Sequence, residues 1–167
     1  ERHVYFTAVF SKPFRDFGIM QDTIPVKYNT NRFRSSLEAW GKDLRFWMRF
    51  PTRQGEMVTV KTAVSAVSSD GAKLNMQELE GKTFASLKAE GEKLWEGQLS
   101  KFKIEATPEQ RETFYTSVYH AFLHPFIFQD ADGKFRELDK NIGQAEGFTN
   151  YTVFSLWDTY RALHPLF

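Results

Sequence analysis

At Ser68-Ser-Asp-Gly71 the spacing of apolar residues changes from two to near 3.6, and that change limits what the chain can fold into. Before it, Val4, Phe6, Ala8 and Phe10 alternate with Tyr5, Thr7 and Val9. Such a run of aromatic and β-branched residues reads as a strand that is apolar, and covered, on both faces. Ser11-Lys-Pro-Phe14 breaks it, and the segment to about Lys42, with Pro25, Asn29 and Asn31 and no clean period, reads as strand fragments and loop. Leu44, Phe46, Met48 and Phe50 then alternate with Arg45, Trp47 and Arg49, which predicts a strand with one buried face and one face of snorkelling cations around Trp47. Pro51 to Gly55 makes a turn, and Val58, Val60, Thr62, Val64 and Ala66 resume the alternation. The simplest pairing of these two strands is an antiparallel hairpin in a sandwich with one wet side.

Beyond the change of period the chain reads as helical. Asp70 is placed to cap a short helix through Leu74 and Leu79, ended by Gly81. Phe84, Leu87, Gly91, Leu94 and Trp95 line one face of a longer helix over residues 82–99, with Lys88, Glu92, Lys93 and Glu96 on or near the other, which puts Trp95 in a core. Thr107-Pro-Glu-Gln110 joins an N-cap hydroxyl to a proline at the first helical position and a glutamine three residues after the cap, so a helix starts there and runs to about His124. Phe114, Val118, Ala121 and Phe122 are its core candidates, while Tyr115, Tyr119 and His120 form a flank that either packs or lines a cavity. Asp130-Ala-Asp-Gly133 reads as a tight turn before a strand around Lys134 to Leu138, and it lacks the third acidic position and distal glutamate of an EF-hand. Residues 139–150 read as a loop, and Asn150-Tyr-Thr152 is a formal N-glycosylation sequon, a tripeptide match of little weight.

The last stretch, Tyr151-Thr-Val-Phe-Ser-Leu-Trp-Asp-Thr-Tyr-Arg-Ala-Leu-His-Pro-Leu-Phe167, is the densest in apolar, aromatic and charged residues. Ser155 followed by Asp158 has the form of a helix start, Leu156, Tyr160 and Leu163 repeat at helical spacing, and Pro165 stops the helix. Read as structure, this is a capped amphipathic helix with a Trp in the core. Read as chemistry, Trp157-Asp158-Thr-Tyr160-Arg161 sets a flat apolar ring beside an acceptor and a fixed fork of donors. A pyranose offers a C–H face to the first and hydroxyls to the others.

Composition removes several classes of function. Twenty-two basic and 21 acidic residues leave a net charge of +1, so no long-range field steers the chain to nucleic acid or an anionic membrane. Without cysteine there are no disulfides, thiolate metal sites or cysteine nucleophiles. No stretch is long and apolar enough for a membrane span or a signal peptide. No G-x-G-x-x-G, P-loop, H-E-x-x-H or G-x-S-x-G sequence occurs. The start at Glu1, directly before strand-like sequence, and the end at an unaccounted apolar helix lead to the expectation of a piece of a longer protein, poorly soluble on its own.

Ser155-Leu-Trp-Asp-Thr-Tyr-Arg-Ala-Leu-His-Pro-Leu166 resembles the corresponding signature of glycoside hydrolase family 92, the calcium-dependent exo-acting α-mannosidases. Tyr5-Phe-Thr-Ala-Val-Phe-Ser-Lys-Pro-Phe14, Thr113-Phe-Tyr-Thr-Ser-Val-Tyr119 with His124-Pro125, and Asp130-Ala-Asp-Gly-Lys134 agree with that family in the same order, while residues 15–40 match loosely. The resemblance implies an α+β chain: the end of an N-terminal antiparallel β-sandwich over residues 1–67, a helical linker over 68–106, and the first helices of an (α/α)6 barrel over 107–167. It also implies removal of terminal α-linked mannose, α-1,2 by expectation, from glycans such as N-glycans, by an inverting mechanism. On this sequence it marks Asp158 as the acceptor of hydroxyls from the non-reducing mannose, Trp157 as the wall beside it, and Arg161 as a residue that orients Asp158 or holds a loop. His164 is read as structural.

An inverting glycosidase keeps its two carboxyl groups roughly 6.5 to 9.5 Å apart to admit a water. The pairs Asp130 with Asp132, Glu137 with Asp139, and Glu78 with Glu80 read as turns or solvated helix surface, so the acid and base are expected outside this chain. By the same resemblance the calcium ligands lie outside it too, the expected partners are a mannose-containing glycan and the rest of the same polypeptide, and the expected address is secreted or periplasmic. Two other readings stand beside this one: a non-catalytic carbohydrate-binding or scaffold module with its binding face at Trp47, and another carbohydrate enzyme that joins a sandwich to a helical barrel.

Overall fold

The computed structural model describes residues 3–25, 42–153, 156–160 and 163–166, the side chains of Ile24, Pro25 and Asp158 excepted. Strands come first and helices follow, the α+β order that the change of period predicts. Strand β1 spans Tyr5–Phe10, β2 Asp16–Gln21, β3 Ile24–Pro25, β4 Leu44–Arg49 and β5 Val60–Ser65. The helices are α1 (Ser69–Met76), α2 (Phe84–Leu99) and α3 (Pro108–Phe122), with a 3-10 turn at Gln77–Leu79 after α1. A hairpin of β6 (Lys134–Arg136) and β7 (Ile142–Gln144) precedes two single helical turns, α4 (Leu156–Thr159) and α5 (Leu163–Leu166). Residues 8–61 form one compact unit, and residues 1–7 with 62–167 form another.

The predicted hairpin between residues 44–50 and 58–66 does not form. Strand β4 pairs antiparallel with β2, in register from Asp16 opposite Arg49 to Gln21 opposite Leu44, with β3 on the other side of β2, while β5 pairs with β1. Alternation fixes which residues share a face but says nothing about the partner strand. The predicted turn after Pro51 is present, with Glu56 N–H donating to Arg53 O at 3.1 Å and Glu56 Oε2 accepting from Arg53 N–H at 3.0 Å. From there the chain is claimed by Ser11, which donates its N–H to Thr59 O and accepts the Thr59 N–H on Oγ, both at 2.9 Å.

The unit of residues 8–61 is held by aromatic packing. Phe50 lies 5.4 Å from Phe10 and 6.3 Å from Phe14, and Phe17 bridges Phe14 at 5.5 Å to Phe46 at 5.7 Å. That packing stays partly open within this chain, since Phe46, expected on a buried face, is 53% exposed; in the other unit Phe6, of the strand expected to be covered on both sides, is 72% exposed.

In the second unit the helix caps follow the sequence closely. Thr107 accepts the Gln110 N–H while the Gln110 side chain accepts the Thr107 N–H, a closed capping box with Pro108 at the first helical position. Helix α2 begins with an equivalent reciprocal pair, Thr83 and Ser86, which the reading of residues 82–99 did not single out. For α1 the cap is Ser68, whose Oγ accepts from Gly71 N–H at 3.0 Å; Asp70, predicted as the cap, sits in the first turn instead. Trp95 packs on Tyr119 with ring centroids 4.5 Å apart, and the Tyr115 hydroxyl donates to Phe102 O at 2.8 Å. The flank of Tyr115 and Tyr119 therefore packs α3 against α2 and its C-terminal extension.

Two further expectations change. Residues 142–144, read as loop, form β7 opposite β6. The helix predicted to end before Pro165 is broken earlier, and Pro165 lies inside α5, where the first turn leaves backbone N–H groups without intrahelical acceptors and a proline is tolerated.

Candidate functional site

The candidate site grows out of the segment after Thr152. Single-turn α4 carries Trp157, whose indole is 80% exposed and lies 6.1 Å from the Tyr160 ring. The Trp is thus not in a core within this chain, contrary to the structural reading. Thr159 is the buried anchor of the turn: it is 5% exposed, and its Oγ1 donates to Leu156 O at 2.8 Å. The predicted acceptor Asp158 has its backbone in α4, but its side chain, together with Ser155 and Arg161, lies outside the described residues.

The segment is fastened upstream. Residues 126–129 and 150–152 meet at one antiparallel bridge, Ile127 opposite Tyr151. Phe128 N–H donates to Asn150 O and Thr152 N–H to Phe126 O, both at 2.9 Å. Asn150, the acceptor position of the formal sequon, donates its Nδ2 to Phe128 O at 2.7 Å.

Residue 129 leads directly into the centre of this unit's polar packing. Asp130 is 5% exposed; its Oδ2 accepts the Ser65 hydroxyl at 2.6 Å and its Oδ1 accepts Asn75 Nδ2 at 2.8 Å. Asn75 returns the favour to the turn, taking the Ala131 N–H on Oδ1 at 2.7 Å. The predicted tight turn is confirmed by Gly133 N–H donating to Asp130 O at 2.8 Å, with Gly133 at φ 83°, a conformation that favours glycine. Burial of Asp130 is not legible in the sequence, where the pair Asp130 and Asp132 reads only as a tight turn. The signal lay in Gly71: a Cβ there would fall 2.2 Å from Asp130 Oδ2. A depression of about 240 Å³ beside this cluster is lined by Val4, Val64, Phe126, Phe128 and the three bonded polar side chains.

The other carboxylates among the described residues are surface groups. Asp132 is paired with Lys134 at 2.7 Å, and that hydrogen bond holds its carboxyl below the usual range and the Lys134 ammonium above its own. Glu137 and Asp139 serve an exposed turn, where Asp139 Oδ1 accepts from Asn141 N–H at 3.0 Å. Glu109, in the first turn of α3, is lowered by backbone N–H donation and by Thr107. Among the described residues no three His, Asp or Glu side chains gather where one ion could reach them. No helix among them is long and apolar enough to cross a membrane.

Trp47, the alternative sugar face, sits on β4 opposite Gly18, with a Cβ at Gly18 falling 2.6 Å from the indole and the Arg49 guanidinium 5.7 Å from the ring centroid. Arg49 is in turn 3.8 Å from Asp16.

Comparison with known proteins places these features. The "Glycosyl hydrolase family 92 catalytic domain" profile matches residues 71–167. Among solved structures, the family GH92 α-mannosidase BT3965 from Bacteroides thetaiotaomicron is 66% identical, with a TM-score of 0.91 over 99% of this chain and 22% of its own. The same protein in complex with mannoimidazole gives a TM-score of 0.90 at the same identity and coverage. The family GH92 inverting mannosidase BT2199 from Bacteroides thetaiotaomicron VPI-5482 is 26% identical, with a TM-score of 0.80 over 98% of this chain and 22% of its own. This chain therefore spans about a fifth of the length of those relatives. No curated protein matches it. The matched profile and the 66% identity together show that the chain belongs to glycosyl hydrolase family 92.

Proposed function

We propose that this chain is part of an exo-acting glycosidase that removes terminal α-linked mannose, α-1,2 by preference, from glycans such as N-glycans, by an inverting, calcium-dependent reaction. One observation carries the reading: the chain is 66% identical, over 99% of its length, to a protein described as an α-mannosidase and solved with mannoimidazole. The inverting outcome is supported by the more distant relative described as an inverting mannosidase.

In this reading residues 1–67 close the N-terminal sandwich, 68–106 link, and 107–167 open the helical barrel. Trp157 offers its exposed indole to the C–H face of the outermost mannose, Asp158 accepts its hydroxyls, and Arg161 orients Asp158. These residues bind and orient; they do not break the bond. Asp130 is held by Ser65 and Asn75 and Asp132 by Lys134, and the catalytic acid and base are assigned outside this chain on family resemblance. On the same resemblance the calcium ligands are assigned to the rest of the polypeptide. The enzyme is assigned a secreted or periplasmic setting, on family resemblance.

Hydrolysis of an aryl α-mannoside by the intact protein tests this, with and without a calcium chelator. Asp158→Ala is expected to lower turnover severely, by on the order of a hundredfold, with little change in melting temperature. Near-normal hydrolysis by that variant removes Asp158 from the site, and activity untouched by chelation removes calcium from the reaction.

A further inference from the structure

The bridge of Ile127 and Tyr151 is closed in an unusual way. An antiparallel ladder would continue past the two bonds that frame it with bonds in the reverse sense, from Phe126 N–H to the Thr152 carbonyl and from Asn150 N–H to the Phe128 carbonyl. Side chains take those places here. Thr152 Oγ1 accepts the Phe126 N–H at 3.1 Å, Gln129 Oε1 accepts the Asn150 N–H at 2.7 Å, and Asn150 Nδ2 supplies the donor to Phe128 O at 2.7 Å. The two segments can part after a single bridge while three of the four backbone groups that would have shared those ladder bonds stay paired.

We propose that Gln129, Asn150 and Thr152 are positioning residues for the terminal-sugar site: they form a clamp that fixes where the chain departs toward Trp157 and Asp158. This rests on the mannosidase reading above. Trp157 follows Thr152 by five residues, at most about 17 Å of extended backbone, so the exit point limits where the indole can stand. The other side of the clamp cannot yield either, because residue 129 runs straight into Asp130, buried and held by Ser65 and Asn75. A ladder continued through residue 153 would hold the segment as strand; side-chain closure releases it within three residues of α4. The formal sequon is accordingly a structural device, with its Asn150 amide spent on Phe128 O.

The test uses the intact protein and an aryl α-mannoside. Thr152→Val keeps the shape and loses the acceptor; well below its melting temperature it is expected to lower kcat/KM about tenfold or more, whereas Thr152→Ser restores most of the activity. Gln129→Met, near-isosteric and without an acceptor for Asn150 N–H, is expected to act in the same direction and decides the matter if Thr152→Val does not fold. A clamp that works through the sugar site loses its effect once the site is damaged, so in a Trp157→Ala background each clamp substitution should cost about twofold or less. Wild-type kcat/KM in folded Thr152→Val and Gln129→Met, or undiminished losses in the Trp157→Ala background, overturns the clamp. An inactive Asp158→Ala beside untouched clamp variants sinks the clamp alone; near-normal hydrolysis by both Trp157→Ala and Asp158→Ala sinks the sugar-site reading, and the clamp with it.

Discussion

Gly71→Ala should destabilise this protein although helix propensity argues the opposite. Gly71 lies in the first turns of α1, where alanine is intrinsically better by about 1 kcal/mol. The added Cβ, however, would stand 2.2 Å from Asp130 Oδ2 and 2.7 Å from Ser65 Oγ. Neither atom is the loose end of a free side chain. Swinging the carboxylate aside breaks the bonds from Ser65 and Asn75, each worth roughly 1.5–3 kcal/mol for a charged acceptor. Shifting the helix instead breaks the Ser68 cap on Gly71 N–H, worth about 1 kcal/mol, and adds overpacking strain of about 1–3 kcal/mol. Both routes exceed the gain, and the cheaper one, less the gain, leaves a net loss of about 1–3 kcal/mol. Gly91→Ala in α2, where a Cβ meets nothing within 4 Å, serves as the control and should gain up to about 1 kcal/mol. Urea midpoints of the intact protein measure both. A double-mutant cycle with Asp130→Ala isolates the clash: once the carboxylate is gone, Gly71→Ala should cost about 1 kcal/mol or less. A raised midpoint for Gly71→Ala, or an equal loss in both backgrounds, refutes the reasoning.

Arg136 is expected to matter as a donor fork rather than as a charge. Its Nε, Nη1 and Nη2 donate to Ala66 O, Lys140 O and Val67 O at 2.6, 2.8 and 3.3 Å, so Arg136→Met should lose about 2–4 kcal/mol by urea unfolding and Arg136→Lys should recover only a minor part. Glu56 gives a prediction in pH. The Lys12 ammonium and then the Arg53 N–H hold its carboxyl below the ordinary value of 4.5. A depressed acid contributes stability above its ordinary value and loses it as pH falls through the folded value. In Lys12→Met, carboxyl titration followed by NMR should show Glu56 moving up toward 4.5; an unchanged titration removes Lys12 as the cause.

The helices were legible because their signals are local. Thr107, Pro108 and Gln110 specify the start of α3 within four residues: Thr107 and Gln110 through the reciprocal bonds the structure contains, Pro108 through its fixed φ at the first helical position. Strand partners were not legible. Residues 44–50 and 58–66 alternate cleanly and have a turn between them, yet β4 turns to β2 and β5 to β1. The pairing comes with contacts such as that between Ser11 and Thr59, 48 positions apart, which no local pattern encodes.

The same distinction governs the candidate site. Trp157 could be singled out as a candidate because an indole beside an acidic side chain and a guanidinium is a chemical pattern written in neighbouring positions, and the structure leaves it exposed. Asp130 could not be sorted from Asp132 that way, since both occupy one turn of four residues. One is buried and the other paired with Lys134 at the surface. Their difference comes from Ser65, Gly71 and Asn75, brought over by the packing of β5 and α1, with Gly71 leaving room for a carboxylate that any larger residue would displace. A segment that reads only as a tight turn thus becomes a buried fixed point next to residues 126–129, and Asn150 and Thr152 tie the segment before α4 to those residues. Helix α4 is a single turn, too short to stabilise itself, so under the proposed reading the placement of Trp157 depends on this buried polar cluster and on the bonds of Asn150 and Thr152.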